Sequence, residues 1–267
     1  MVIKLIAVDL DGTLLNSEHK ISDYNYKILK EAEKNGIKVI ISTGRLYSSL
    51  YKYKKELELK TPVICYNGAK AVDGITDETL FEVNLDEKIT RRIIEIAREN
   101  NIHLNLFQDE KWYIEATREE VEIYGNASGL EYHLLNFDNI NNIKATKVMF
   151  VGENVRLKEI EKIIKSEFEN QVYSAFSKPH FLEILDKKVS KGAALEKISK
   201  MLNIDRAEIM AFGDGYNDIE MLEFAGVGVV MGNSPEELKL MFENIADSCN
   251  NDGVGKFIAE KLGYDIK

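Results

Sequence analysis

Two aspartates, two residues apart, close an apolar run near the start of the chain: Leu5-Ile-Ala-Val8 leads into Asp9-Leu-Asp11-Gly-Thr13. A run apolar on both faces reads as a buried parallel strand, and such strands do not ordinarily end in paired acids. Asp9 and Asp11 repel each other unless a cation lies between them or one carries a proton. Further polar groups fall at the ends of expected elements: Thr43 with Gly44, Lys191, and Asp214 with Asn217 and Asp218. Asp9, Asp11 and Asp214 offer hard oxygen ligands, and two or three carboxylates with open water positions suit Mg2+, which commonly shares its shell with phosphate. Thr43 adds a hydroxyl. The Gly44 amide can approach an anion closely because no side chain intervenes. Lys191 brings a full positive charge to the positive end of a helix. Taken singly, each has an ordinary explanation: a cap, a turn, a solvated lysine, a capped βα turn. Taken together, each at an element end, they suit a phosphoryl group held against a magnesium ion.

The elements that must carry these residues follow a βαβ rhythm at both ends of the chain. After the strand ending at Asp9, Tyr26, Leu29 and Ala32 recur at helical spacing within 22–35, closed by Asn35-Gly36. A β-branched strand over 37–42, a helix over 46–59 and a third strand of the same parallel sheet over 62–66 follow, the last ending in Asn67-Gly68. Between residues 70 and 83 the pattern turns to hairpins around Asp73-Gly74. Helices over 86–100, 118–124 and 155–169 then mix with strands over 102–107, 111–115, 146–151, 172–176 and 181–185, the order of an α+β unit with an antiparallel sheet. From Ser190 the first rhythm returns: a helix over 191–202, a strand over 208–212, a helix over 218–224 and a strand over 227–231. A helix over 235–242 with proline in its first turn and one over 254–262 complete it. The expected organisation is one α/β core, residues 1–85 and 188–267, interrupted by an α+β insert, 86–187.

Bulk properties narrow the function. With 35 Lys plus Arg against 45 Asp plus Glu, the net charge of −10 disfavours nucleic acid and anionic membranes. An anionic substrate therefore needs local positive charge. The two cysteines, Cys65 and Cys249, lack metal-ligand spacing, and Cys65 reads as a buried thiol. The six-residue apolar stretch near the N-terminus is too short for a signal peptide or a membrane span, so a cytoplasmic protein is expected. His103, His133 and His180 stand isolated, and Trp112 reads as core of the insert rather than a sugar platform.

Val8-Asp-Leu-Asp-Gly-Thr-Leu14, Ser42-Thr-Gly-Arg45, Ser190-Lys-Gly192 and Gly213-Asp-Gly-Tyr-Asn-Asp-Ile-Glu-Met-Leu222 resemble the four signature motifs of the haloacid dehalogenase superfamily. Tyr66-Asn-Gly-Ala69 and Met231-Gly-Asn-Ser-Pro-Glu-Glu-Leu238 resemble its Cof-type (type IIB) phosphatase branch. The resemblance spans the α/β part, with the insert where that branch carries its cap. It implies a Rossmann-like core and a Mg2+-dependent phosphatase of small phosphorylated metabolites, sugar phosphates first. Asp9 would be the nucleophile that forms an aspartyl-phosphate. Asp11 would start protonated and serve as general acid, then base. Asp9, the Asp11 carbonyl and Asp214 would hold Mg2+, supported from outside by Asp218, with Asn67 beside them. Thr43, Gly44, Lys191 and Asn217 would bind phosphoryl oxygens. Arg45 would either contact substrate or pair with a surface acid. The cap would close over the site, with the turns at Gln108-Asp109-Glu110 and Lys178-Pro179-His180 as candidates for reading substrate. A phosphohexomutase and a non-hydrolytic phospho-aspartate signalling module use related residue sets. A monomer or weak homodimer is expected.

Overall fold

The computed structural model describes residues 2–265, without the side chains of 126–128. The expected domain ends at Met1 and Lys267 fall outside the described residues. In chain order the elements begin with β1 (Leu5–Val8), α1 (Asp23–Lys34), β2 (Lys38–Ile41), α2 (Tyr47–Glu56), β3 (Val63–Cys65), β4 (Lys70–Val72) and β5 (Thr79–Glu82). Then come α3 (Glu87–Glu99), β6 (His103–Gln108), β7 (Lys111–Ile114), α4 (Glu119–Ser128), β8 (Tyr132–Leu134), β9 (Lys147–Val151), α5 (Asn154–Phe168), β10 (Val172–Lys178) and β11 (Phe181–Asp186). Last are α6 (Lys191–Met201), β12 (Ile209–Gly213), α7 (Ile219–Phe224), β13 (Val227–Val230), α8 (Glu236–Lys239), β14 (Asn244–Ile245) and α9 (Gly253–Leu262).

Two compact units result. One takes the chain up to Arg45, Leu50–Phe81 and Ser190 onward; the other takes Leu46–Ser49 and Glu82–Val189. The passages after Phe81 and Val189 lie a few residues from the expected breaks at 85/86 and 187/188. The fold class is the expected one: a parallel α/β core whose two segments flank a mixed α and β insert.

In the first unit the parallel sheet runs β14-β13-β12-β1-β2. Leu5 pairs with Ile209 on one side and Lys38 on the other, and Val8 with Phe212 and Ile41. Every residue of β1 is buried, which explains its unbroken apolar run. The chain leaves β1 in one direction for β2 and later returns on its other side through β12. The switch point therefore lies between β1 and β12, and ligands of open α/β sheets bind beyond the carboxyl ends of strands at such a point. Helix α1 starts because Ser22 accepts the Asn25 amide at 3.1 Å. It stops at Asn35, followed by Gly36 at φ +83°. Its buried stripe, Ile28, Leu29 and Ala32, follows the helical spacing. Helix α6 is capped by Ser190, which accepts the Ala193 amide at 3.0 Å, and it buries Ala194, Leu195 and Ile198 with Leu5, Ala7, Ile209 and Ala211.

Three expectations need correction. Strand β3 is not a third strand of the parallel sheet. It pairs antiparallel with β4 in a separate sheet, β3-β4-β5, and touches β2 through one bridge, Ser42 to Ile64. The cause is the turn after it: Tyr66 and Asn67 both take positive φ, 50° and 55°, which folds the chain back on itself. The helix expected over 235–242 is only α8, with Pro235 outside it as the cap. Leu240 and Met241 are 87% and 53% exposed, so a longer helix had no apolar face to bury. The insert's sheet is not wholly antiparallel either, because β8 runs parallel to β7.

In the second unit the sheet runs β10-β11-β9-β6-β7-β8. Leu104, Leu106, Val148, Phe150, Leu182 and Ile184 alternate onto one face, against Ile93, Ile96 and Ala97 of α3 and Leu157, Ile160 and Ile164 of α5. Each such fully buried aliphatic side chain contributes about 1.5–3 kcal/mol. Asp86 caps α3 by accepting the Lys88 and Ile89 amides. On α4, Tyr124 sets its ring edge-on to Phe107, Trp112 and Phe181, with centroids 4.8 to 5.6 Å away. Trp112 is core, and its indole N–H donates to Asn105. Among the described residues, no helix is long and apolar enough to cross a membrane.

Candidate active site

The site is built at the carboxyl ends of adjacent strands. The Asp9 amide extends the β1–β12 ladder by donating to the Phe212 carbonyl at 3.0 Å, so the Asp9 side chain emerges beside the residues that follow β12. Asp9 is 5% exposed. Lys191, in the first turn of α6 and 1% exposed, reaches both Asp9 Oδ1 at 2.7 Å and Asp218 Oδ1 at 2.6 Å. The other Asp218 oxygen accepts the amides of Asp214 and Gly215 at 3.0 and 2.9 Å. Asp218 thereby fixes the loop that carries Asp214. Thr13 donates to Asp214 Oδ1 at 3.1 Å. Gly12 sits at φ +82°, and a Cβ there would fall 2.2 Å from Asp214 Oδ2. Glycine is required both by the backbone angle and by the carboxylate packed against it.

One buried ammonium thus faces several carboxylates, and the titration of those acids follows. Burial pushes Asp9 well above the usual carboxylate range; Lys191 opposes this, while Asp218, Asp214 and Asp11 add to it. Burial and the Asp218 charge lift Asp214 to about 6. Lys191 moves up: burial alone lowers it, but Asp218 and Asp9 more than reverse that. Ligand atoms of Asp9, Asp214 and Asp218 all lie within 4.8 Å of one another. Both Asp218 oxygens are already engaged, whereas Asp9 and Asp214 each keep one outside the described hydrogen bonds. This donor set fits a hard divalent cation, which would relieve the crowding of charge.

Asp11 is placed differently. Arg45 grips it with two hydrogen bonds, Nε to Oδ2 at 2.6 Å and a terminal nitrogen to Oδ1 at 2.5 Å. Burial raises the Asp11 carboxyl, but these bonds and the guanidinium charge outweigh it and hold the group below its ordinary value. The expectation that Asp11 starts protonated is therefore not met in this state. Arg45 pairs with an acid, the second of its two expected roles: that acid is Asp11 of the candidate site, whose side chain is 44% exposed.

The phosphate-binding candidates form a third group. Thr43 follows β2, its amide donating to the Ile64 carbonyl at 2.9 Å and its hydroxyl oxygen accepting the Arg45 amide at 3.2 Å. The Asn67 amide donates to the Thr43 carbonyl at 3.0 Å, and Asn217 donates to Asn67 Oδ1 at 2.9 Å. A Cβ on Gly44 would lie 2.8 Å from that same oxygen. Among the described residues no hydrogen bond joins Thr43 or Asn217 directly to Asp9 or Asp214.

The haloacid dehalogenase-like hydrolase family matches residues 6–258, nearly the whole chain. The chain belongs to the haloacid dehalogenase-like hydrolases. It resembles the HMP-PP phosphatase of Yersinia pseudotuberculosis, with 29% identity over 257 residues, 96% of this chain and 94% of that one. Among solved structures it resembles a haloacid dehalogenase-like hydrolase from Bacteroides thetaiotaomicron (TM-score 0.88, 28% identity, 97% and 99% of the two chains). It also resembles a protein of Thermotoga maritima (TM-score 0.87, 28% identity, 97% of each chain). This hydrolase is an enzyme of the phosphatase kind. Its sequence motifs contained Thr13 and Asn233 without indicating their work. Thr13 steadies Asp214, and Asn233 joins the Gly12 carbonyl to the Cys249 amide at 2.8 Å on each side. His19, with Nδ1 3.6 Å from Asp11 Oδ1, gave no signal at all, because it lies outside every motif.

Proposed function

We propose that this hydrolase is a Mg2+-dependent phosphomonoesterase of small phosphorylated metabolites, sugar phosphates foremost, working through an aspartyl-phosphate on Asp9. The observation that carries the reading is the position of Asp9: buried at the switch point, with the Lys191 ammonium at 2.7 Å and Asp214 beyond the neighbouring strand. Asp9, Asp214 and the Asp11 carbonyl would hold Mg2+, which when bound would supply positive charge for the reacting phosphoryl oxygens.

Asp9 attacks phosphorus in line, so an Asp9 Oδ–P bond forms as the bond from phosphorus to the leaving oxygen breaks. Asp11 gives its proton to that oxygen. Because Arg45 pairs with the Asp11 carboxylate in this state, the acid takes up a proton from solvent once substrate draws the guanidinium away. In the second half Asp11 takes a proton from water, the water oxygen attacks phosphorus, and Asp9 is regenerated with release of inorganic phosphate. Thr43, the Gly44 amide, Lys191 and Asn217 offset charge on the phosphoryl oxygens. Asp218 and Asn67 position Lys191, Asp214 and Asn217. The net charge of −10 favours a small-molecule substrate over nucleic acid or membrane. A cytoplasmic monomer or weak homodimer is part of the same proposal.

The test uses p-nitrophenyl phosphate and a panel of phosphorylated metabolites. Phosphate release that stops with EDTA and returns with Mg2+ is expected. Asp9→Asn should lower kcat by at least about 10^3-fold while circular dichroism stays unchanged. Turnover near the original rate in Asp9→Asn, or an isomerised sugar phosphate without free phosphate, overturns the reading.

A further inference from the structure

We infer that Arg45, His19 and Lys52 form a subsite for a second anionic group, so that the preferred substrates are phosphate esters whose leaving part itself carries a phosphate or a carboxylate. This rests on the proposed role of Asp11. The acid that protonates the leaving oxygen lies beside the leaving group, so whatever flanks Asp11 flanks that group too. The flanking side chains, Arg45 and His19, are nitrogen donors, and Arg45 is cationic. Arg45 holds Asp11 through two hydrogen bonds, and His19 Nδ1 lies 3.6 Å from Oδ1. Tyr53 connects these to a further cation. Its hydroxyl donates to the His19 carbonyl at 3.1 Å, the Arg45 guanidinium carbon lies 5.3 Å from its ring centroid, and Lys52 Nζ lies 4.6 Å from that centroid. Tyr53 is buried, so the ring against which Arg45 and Lys52 lie, and whose hydroxyl holds the His19 carbonyl, is fixed.

His19 is not there by accident of a loose loop. Its backbone takes φ +56°, a left-handed conformation unusual for a residue with a side chain. The turn that enforces it is closed by the Asn16 amide to the Lys20 carbonyl, the His19 amide to the Asn16 carbonyl, and the Asn16 side chain accepting the Glu18 and Lys20 amides. Lys52 makes no ion pair among the described residues. The phosphoryl group being transferred already has Lys191 and the divalent ion. A second positive locus beside Asp11, in a chain with ten excess negative charges, has no use for a neutral polyol but suits a second anion.

The experiment compares size-matched esters with purified enzyme and Mg2+, with phenyl phosphate as the reference substrate: 3-phosphoglycerate against glycerol 3-phosphate, and glucose 1,6-bisphosphate against glucose 6-phosphate. We expect kcat/KM to favour the charged-leaving member of at least one pair by 10-fold or more, with the advantage shrinking as ionic strength rises. The pair that responds tells a carboxylate from a phosphate. Lys52→Met and His19→Asn should each cut that ratio at least about 3-fold while leaving kcat on phenyl phosphate within 2-fold. Equal rates within both pairs, or a ratio that neither variant moves, overturn the subsite and leave the phosphatase reading standing. No phosphate from any substrate, phenyl phosphate included, overturns both.

Discussion

One buried lysine from each unit, Lys191 and Lys147, lies beside carboxylates, and the two burials have opposite logic. In the first unit Lys191 lies against Asp9 and Asp218, with Asp214 close by. In the second, Lys147 on β9 lies 3.2 Å from Glu183 on β11, and its ammonium sits 5.1 Å from the centre of the Phe107 ring. Both lysines are almost wholly removed from solvent. The difference is charge balance. The Lys147 ammonium meets the Glu183 carboxylate and lies over an aromatic ring, an arrangement that settles the sheet. Around Lys191 negative charge is in excess, and burial first, then that excess, pushes Asp9 and Asp214 up. A folded chain does not retain such an imbalance for stability, because burying unmatched charge is costly. The surplus carboxylates are available to a cation and to chemistry.

The same substitution made in both places breaks the comparison most sharply. Lys191→Met should reduce turnover by about 10^3-fold, since it removes the ammonium 2.7 Å from Asp9, the proposed nucleophile. Lys147→Met should destabilise the protein by about 3 kcal/mol, because Glu183 is left buried without that partner. Turnover of p-nitrophenyl phosphate per folded molecule should stay within about 2-fold of the parent. Urea denaturation and steady-state kinetics on both variants read the two effects separately. A Lys147→Met enzyme that is fully stable but inactive would show that the second unit's pair is not structural.

The asymmetry between the units also governs what the sequence disclosed. Asp9, Lys191, Asp214 and Asp218 do meet, and each was conspicuous because a charged residue followed directly on an apolar run or opened an amphipathic helix. That local contrast is strongest where a buried parallel strand ends. The contacts that complete the site are not local. Thr13 and Asp214 lie 201 positions apart, and Asp11 and Arg45 lie 34 apart, so no periodicity announces them. The misplacement of β3 has a local cause that residue types hide: Tyr66 and Asn67 adopt positive φ without being glycine. In the second unit, β6, β9 and β11 were legible as short apolar-rich runs, and nearly every residue of each is buried. Strand β8, with Tyr132, His133 and Leu134 all exposed, was not, because nothing alternates there.

Proton and metal compete for the same surplus charge, which gives the next test. Asp214 is lifted from 3.8 to about 6. A raised folded-state pKa means that the contribution of this group to stability is fully present below the unfolded value and is lost as pH climbs from about 4 through about 6. Without divalent ion, stability should therefore fall across that window by about 3 kcal/mol from this group alone. Mg2+ should reverse the loss above pH 6, adding about 2.7 kcal/mol at a hundredfold excess over its dissociation constant, and should add little at pH 4. Thermal melts at several pH values, with EDTA or with Mg2+, measure both slopes. A Mg2+ effect that does not weaken toward acid pH would mean that the ion binds elsewhere. For the Lys147–Glu183 pair, no Mg2+ dependence is expected.

The smallest effect isolates the support from the supported. Thr13 touches Asp214 with one hydroxyl hydrogen bond of 3.1 Å and is itself fully buried. Thr13→Val keeps the shape and the β-branched packing but removes the donor, so the Asp214 carboxylate is freed to rotate. The expected result is about a 10-fold weaker Mg2+ activation constant, the usual consequence of deleting a partner that orients a metal-binding carboxylate. kcat at saturating Mg2+ should remain close to the parent. A merely structural threonine would lower stability and leave the Mg2+ dependence where it was. Thr13→Ser, which restores the hydroxyl without the methyl, should recover the activation constant but not the packing. The pair of variants thereby separates a hydrogen bond that orients a carboxylate from a methyl group that fills space.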